Sequence, residues 1–171
     1  MSPDQPLPRL WLMTDERLGD RLLEAVARLP EGAGIVFRHY GLDEAERRAL
    51  FDRVRTAHRG LLLLAGPADL AAIWGADGSH GRHQGALTAS AHDLAELRMA
   101  EAVGAALVFL SPVFPTNSHA GAPTLGPAGF AALAAETGLP VVALGGMNAR
   151  RAAALSGAYG WAGIDAWLQD S

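Results

Sequence analysis

The stretch Pro140-Val141-Val142-Ala143-Leu144-Gly145-Gly146-Met147-Asn148-Ala149-Arg150 reads as a buried strand, a Gly-Gly turn and the start of a helix capped by Asn148. Its apolar run has no polar alternation, the pattern of a parallel strand covered on both faces. Glycines let the backbone turn sharply and approach a ligand closely, and a helix N-terminus beyond them offers free N–H groups to an anion. Units of this kind, short apolar strand followed by amphipathic helix, alternate along the chain, and that alternation decides the fold class.

Upstream of it, Ala105 to Leu110 is a sixth, almost wholly apolar strand, followed by a long Pro/Gly/Ser/Thr loop, Ser111 to Gly126, and a helix over Pro127 to Thr137. Further back, Asp93 to Val103 is a helix and Gly85 to Ser90 a fifth strand. Gly75 to His80 holds a brief fourth strand, Pro67 to Trp74 a short helix and Leu61 to Leu64 a third strand. Asp43 to His58 is a helix with Asp43 as N-cap and Glu46 in the capping-box position. Gly34 to Arg38 is a second strand, Gly19 to Leu29 a helix ended by Pro30, and Arg9 to Met13 a first strand. Downstream come a helix over Asn148 to Ser156, an eighth strand over Tyr159 to Ile164 and a helical turn over Asp165 to Gln169. Residues 1–8, with three prolines, read as a tail and residues 9–171 as one domain.

Strict β/α alternation implies a parallel sheet with right-handed crossovers. The expected fold is α/β, a compact (β/α)8 TIM barrel, with an open doubly wound sheet as its competitor. Such barrels usually need about 200–250 residues. At 171 residues this one is shortened. The link from His80 to Gly85 is too short for a helix, so the helix between strands four and five is expected to be missing. An active site would lie at the C-terminal ends of the strands.

Half of the residues are hydrophobic and 19% are charged, with a net charge of −4. That balance fits a globular protein and offers no basic block for nucleic acid. The absence of cysteine removes disulfides, thiolate metal sites and a cysteine nucleophile. The N-terminus has no signal-peptide pattern and no apolar run approaches the ~20 residues of a membrane span. The expectation is a cytoplasmic protein without nucleic-acid or membrane partners; self-association is left open.

Four segments carry candidate chemistry. In the loop after strand six, Thr116, Asn117, Ser118 and His119 are hydrogen-bonding groups suited to an anion or a heterocycle; the plain alternative is an exposed polar loop. Gly145 and Gly146 suit a phosphate, or simply a tight βα turn. Ser90 and His92 stand at the end of strand five, where a histidine serves acid/base chemistry near neutral pH. The alternative there is a helix cap by Asp93 with His92 packed beside it. Arg38, at the end of strand two, is a candidate anion clamp or else a salt-bridge partner. His80 and His83, three apart beside Asp77, lack metal-ligand spacing and read as a solvated turn in place of the lost helix.

In this order the segments resemble the thiamine phosphate synthase/TenI family. The resemblance covers roughly residues 9–167. It is strongest at Ser111-Pro112-Val113-Phe114-Pro115-Thr116 and at Pro140-Val141-Val142-Ala143-Leu144-Gly145-Gly146-Met147. Leu12-Met13-Thr14-Asp15, Gly75-Ala76-Asp77-Gly78, Ser90-Ala91-His92 and Gly104-Ala105-Ala106 support it. It implies a (β/α)8 barrel. The family's synthases join hydroxymethylpyrimidine diphosphate to thiazole phosphate with release of pyrophosphate and use magnesium. Its TenI branch tautomerises a thiazole carboxylate phosphate without metal.

Carried over residue by residue, Gly145 and Gly146 match the phosphate-binding turn, Thr116 the threonine after strand six, Ser90 the serine of strand five and Arg38 the arginine of strand two. His92 matches a histidine given an acid/base role in the tautomerase branch. The departures are Val36 and Tyr40 in place of glutamine and lysine, Ala65-Gly66 in place of Asn-Asp, an acid-free stretch from Ser79 to Gly85, and His119 in place of lysine. The resemblance thus implies His92 and Ser90 as catalytic residues and Arg38, Thr116, Ser118, His119, Gly145 and Gly146 as substrate-binding residues. No residue is assigned as a metal ligand, and magnesium enters only with a diphosphate substrate. The expected partner is a phosphorylated small molecule. The expected function is a divergent thiamine phosphate synthase, with a TenI-like tautomerase and a non-catalytic thiazole phosphate or thiamine phosphate binder as alternatives. Arg38 and His119 are expected to matter more for ligand affinity than for stability.

Overall fold

A computed structural model describes residues 6–116, 121 and 123–168. Eight parallel strands close into a barrel in sequence order. They are β1 (Leu10–Met13), β2 (Gly34–Phe37), β3 (Leu62–Ala65), β4 (Gly78–His80), β5 (Thr88–Ala91), β6 (Leu107–Leu110), β7 (Val141–Ala143) and β8 (Gly160–Gly163). The helices are α1 (Leu22–Ala27), α2 (Glu44–Ala57), α3 (Ala68–Trp74), α4 (Leu94–Ala102), α5 (Gly126–Ala134) and α6 (Ala149–Ala153). Three-ten turns lie at Glu16–Arg21 and Asp165–Leu168. The closed barrel, and not the open sheet, is the architecture. Residues 81–87 form turns, so the helix between β4 and β5 is indeed missing. Among the described residues no helix is long and apolar enough to cross a membrane.

Alternation along each strand sorts side chains into an interior and an outer layer. Trp11, Met13, Val36, Leu63, Ala65, Leu107, Phe109, Val142 and Ala162 fill the barrel. Trp11 and Phe109 meet edge to face with centroids 5.3 Å apart, and fully burying a ring such as Phe109 is worth about 1.5–3 kcal/mol. The bulk of Trp11 dictates its neighbour across β2: a Cβ on Gly34 would stand 2.5 Å from the indole. Trp11 Nε1 donates to Pro8 O at 2.7 Å, and Leu7 packs against the interior, so the end of the proline-rich segment closes the barrel's lower mouth. The outer layer forms two clusters, one around Phe37, Phe51 and Trp74 and one around Leu97, Val108, Leu110 and Phe130.

Three helices start as their sequences dictate. Asp43, Asp93 and Asn148 accept from the backbone N–H three residues on, at 2.8, 2.8 and 2.9 Å. The first helix departs from its reading over Gly19 to Leu29. Asp15 caps a three-ten turn that begins at Glu16, Gly19 breaks it with φ +47°, and α1 starts only at Leu22. Glycine's freedom at positive φ is what permits that kink.

Candidate active site

The C-terminal ends of the strands surround a cavity of about 720 Å³. Arg38, Ser90, His92, Thr116, Gly145 and Gly146 all line it. Ser118 and His119 lie outside the described residues. Sequence reasoning missed four further lining residues that bear on the chemistry: Arg17, His80, Arg151 and Asp165.

One corner is built from the loops after β6 and β7. Phe114 N donates to Gly145 O at 3.1 Å and Val113 N to Leu144 O at 2.9 Å, which draws the two loops together. Gly145 and Gly146 have φ of +94° and +61°. A Cβ on Gly145 would lie 2.7 Å from Pro112 Cα, and one on Gly146 2.5 Å from Pro115 O. Both conformation and space therefore demand glycine. Arg151, in the first turn of α6, donates to Gly146 O and lies over the Phe114 ring, 4.8 Å from its centroid. A cation thus stands beside the Gly145-Gly146 turn within the cavity. Its signal in the sequence was its place three residues after the Asn148 cap.

The second corner lies three strands away around the barrel, at the ends of β1 and β2. Arg38 Nε donates to Thr14 O at 2.7 Å and Nη2 to Asp15 Oδ2 at 2.9 Å, while the Arg38 backbone N–H donates to Thr14 Oγ1. Arg17 Nε donates to the other oxygen of Asp15 at 2.8 Å. Burial pushes the Asp15 carboxyl up, but the Arg17 hydrogen bonds and the charges of Arg17 and Arg38 outweigh it and hold the group below its ordinary value. Arg38 itself is lowered, chiefly by burial, against the pull of Asp15. This revises the expectation that Arg38 matters mainly for affinity. Two of its guanidinium nitrogens are bound into the fold, so the arginine both lines the cavity and ties β2 to the β1 loop.

Between these corners, β4 and β5 form the floor. Gly78–His80 is the brief fourth strand read from the sequence; the turn is confined to residues 81–87, and His80, read as part of a solvated turn, is instead buried. The short strand sends His80 into the barrel and Ser79 outward to His83 Nε2 at 3.0 Å, so the two histidines face apart. His80 is buried against Thr88 and Ser90, and burial, with Arg38 and His83, pushes it down to about 3. His92 stands higher, half exposed. Glu96 Oε2 accepts from the His92 backbone N–H at 2.9 Å and meets His92 Nδ1 at 2.7 Å. The cap and the cavity position coexist: Asp93 caps α4, and the Glu96 carboxylate holds the His92 ring at Nδ1 where it lines the cavity.

Among the described residues no group of three His, Asp or Glu side chains is placed to hold a metal. Asp165 is the one carboxylate lining the cavity among them. The ends of β3 and β4 carry Ala65-Gly66 and Gly81-Arg82-His83, with no oxygen donors suited to a hard divalent cation. The described residues do not fit a resident magnesium site.

Comparison with known proteins agrees with this geometry. The profile of the family described as thiamine monophosphate synthase, TMP-TENI, matches residues 81–167. A putative thiamine-phosphate synthase 2 of Aquifex aeolicus is 32% identical, over 95% of this chain and 99% of the relative. A thiamine-phosphate synthase of Salinispora arenicola is 32% identical, over 94% of this chain and 89% of its own. The solved structure of a thiamine phosphate pyrophosphorylase from Pyrococcus furiosus superposes with a TM-score of 0.77 at 27% identity, covering 93% of this chain and 86% of that one. A profile that covers half of the chain, from the link after β4 to the last turn, and relatives matched along nearly their whole length, leave one conclusion: this chain belongs to the thiamine monophosphate synthase family of thiamine biosynthesis.

Proposed function

We propose that the protein is a thiamine phosphate synthase-type transferase, joining hydroxymethylpyrimidine diphosphate to thiazole phosphate. The observation that carries this reading is the pair of cationic corners in one cavity: Arg151 beside the Gly145-Gly146 turn, and Arg17 with Arg38 three strands away. A coupling enzyme needs two anion sites, one for each phosphorylated substrate. In this reading the thiazole phosphate sits at the glycine turn, with Thr116 beside it, and the diphosphate faces Arg17 and Arg38. The bond between the pyrimidine's methylene carbon and the diphosphate oxygen breaks, and its electron pair leaves with pyrophosphate. The thiazole nitrogen lone pair then forms the new C–N bond. Asp15 neutralises part of the arginine charge but also fixes both guanidiniums in place. Stabilisation of the departing charge thus comes from preorganised donors. No step is assigned to magnesium, because the described residues do not supply its ligands.

A second reading has its own support in the His92–Glu96 pair. A carboxylate-oriented imidazole at the mouth suits metal-free proton transfer on a thiazole carboxylate phosphate. One experiment separates the readings. The protein is incubated with both synthase substrates, with and without MgCl2, and thiamine phosphate and pyrophosphate are quantified. In parallel it is incubated with thiazole carboxylate phosphate in D2O. Coupling supports the transferase. Deuterium uptake that disappears in His92→Asn supports the isomerase. Tight binding of thiazole phosphate with neither reaction supports a binding protein.

A further inference from the structure

At the cavity floor a buried ring is held between two hydroxyls. His80 Nδ1 lies 2.9 Å from Thr88 Oγ1, and His80 Nε2 lies 3.1 Å from Ser90 Oγ. The ring packs edge-on against Phe109, with centroids 5.5 Å apart. A neutral imidazole carries one N–H and one acceptor nitrogen, so one hydroxyl donates to the ring and the other accepts from it.

Thr88 decides which. It is fully buried, and His80 is the one hydrogen-bond partner of its hydroxyl among the described residues. Were Thr88 to accept from the ring, its own proton would be stranded in the barrel interior, a cost that buried polar groups avoid. Thr88 therefore donates to Nδ1, the ring proton stays on Nε2, and Nε2–H donates to Ser90. Ser90 is thereby an acceptor toward the protein. Its hydroxyl proton is left for the cavity, which Ser90 lines.

We infer that His80 is a positioning residue: held by Thr88 as its Nε2–H tautomer, it fixes the Ser90 hydroxyl as a hydrogen-bond donor to an acceptor oxygen of the bound ligand. The arrangement resembles a Ser–His nucleophile pair but works in the opposite sense, because the imidazole gives Ser90 a proton contact and takes none. The charged and titratable groups acting on the ring are Arg38 and His83, both opposing a second proton, as burial does. The tautomer therefore persists through the neutral range. This inference rests on the reading of the cavity as an anion site.

The test uses the full chain, uniformly labelled with ¹⁵N. Long-range ¹H–¹⁵N spectra identify the tautomer of each histidine, and His80 is assigned by the signals lost in His80→Gln. The expected result is a neutral Nε2–H ring that does not titrate between about pH 5 and 8. An Nδ1–H ring, or a protonated one, overturns the inference. Calorimetry with thiamine phosphate then compares Ser90→Ala and Thr88→Val with the unmodified protein. Losing a hydrogen bond to a charged oxygen should weaken binding about 10- to 100-fold in Ser90→Ala. Thr88→Val, which keeps the shape but frees the ring to take either tautomer, should shift the His80 signals and weaken binding while the fold persists. Wild-type affinity in Thr88→Val alongside a loss in Ser90→Ala overturns the positioning role and leaves the functional reading intact. If the unmodified protein takes up no thiamine phosphate, the functional reading fails, and the tautomer spectrum still decides for or against His80.

Discussion

Replacing His80 with Gln removes the most acid-sensitive group in the barrel, and the size of its effect follows from burial. In the unfolded chain a histidine protonates near its ordinary 6.5; in the folded protein His80 is pushed down to about 3 by burial, Arg38 and His83. Between those values the unfolded state binds the extra proton and the folded state does not, so stability falls as pH falls. Above 6.5 the group costs nothing, and below about 3 the loss is complete. The slope is about 1.4 kcal/mol per pH unit, so descending from 6.5 to about pH 4 removes about 3 kcal/mol, or about 6–12 °C in melting temperature. His39 and His58 are also lowered by burial, and Asp15 and Glu96 are held low by their hydrogen bonds. These groups contribute to both proteins and cancel in the difference. Urea unfolding of wild type and His80→Gln at a series of pH values should therefore show wild type more stable at pH 7 and the gap closing by about 3 kcal/mol near pH 4. Parallel curves would refute the claim that a neutral ring is locked inside the barrel.

Arg38→Ala should lower both properties measured on it. The lost bonds to Thr14 O and Asp15 should cost about 1–3 kcal/mol, and pyrophosphate binding should weaken about tenfold or more; an unchanged melting temperature would mean the bridge adds nothing to the fold. Gly146→Ala should destabilise by about 1–2 kcal/mol through its positive φ alone, with the further displacement of Pro115 O abolishing thiazole phosphate binding by calorimetry. Isothermal titration of the unliganded protein with MgCl2 should be flat, and a micromolar site would show that acidic ligands have been misplaced.

The fold was legible wherever local chemistry and tertiary placement agreed. Apolar runs such as Leu107–Leu110 cannot sit anywhere but between two covered faces, and Asp43, Asp93 and Asn148 each announce a helix start that the structure uses. The kink at Gly19 was not legible: Gly19 read as the helix start, whereas the helical turns begin at Glu16 under an Asp15 cap and α1 begins only at Leu22, a break that only the φ of +47° at Gly19 reveals. In the cavity, residues in the turns after strands could be named from the sequence, since every such turn opens onto the same mouth. Arg17 could not, and Arg151 could be placed only in the first turn of α6, because a long side chain's reach depends on what it meets: Asp15 in one case, the Phe114 ring in the other. His80 was hidden by the brevity of β4, where Gly78 gives no apolar alternation from which to tell inside from outside.

The link of residues 81–87 has a mechanical consequence. With no helix to clamp them, β4 and β5 are aligned through a single residue pair, His80 opposite Thr88, whereas their neighbours share three or four. This is the seam at which the cylinder is most weakly zipped. Its stitches are backbone bonds from Gly81 N to Thr88 O and from Leu87 N to Ser79 O, and the side-chain chain Thr88–His80–Ser90. The residues that floor the cavity are therefore the residues that hold the wall shut. A ligand that engages Ser90 braces the seam, and rupture of the seam dismantles the floor. Amide exchange at Gly81 and Leu87 should slow when the cavity fills, making the seam a strain gauge for occupancy.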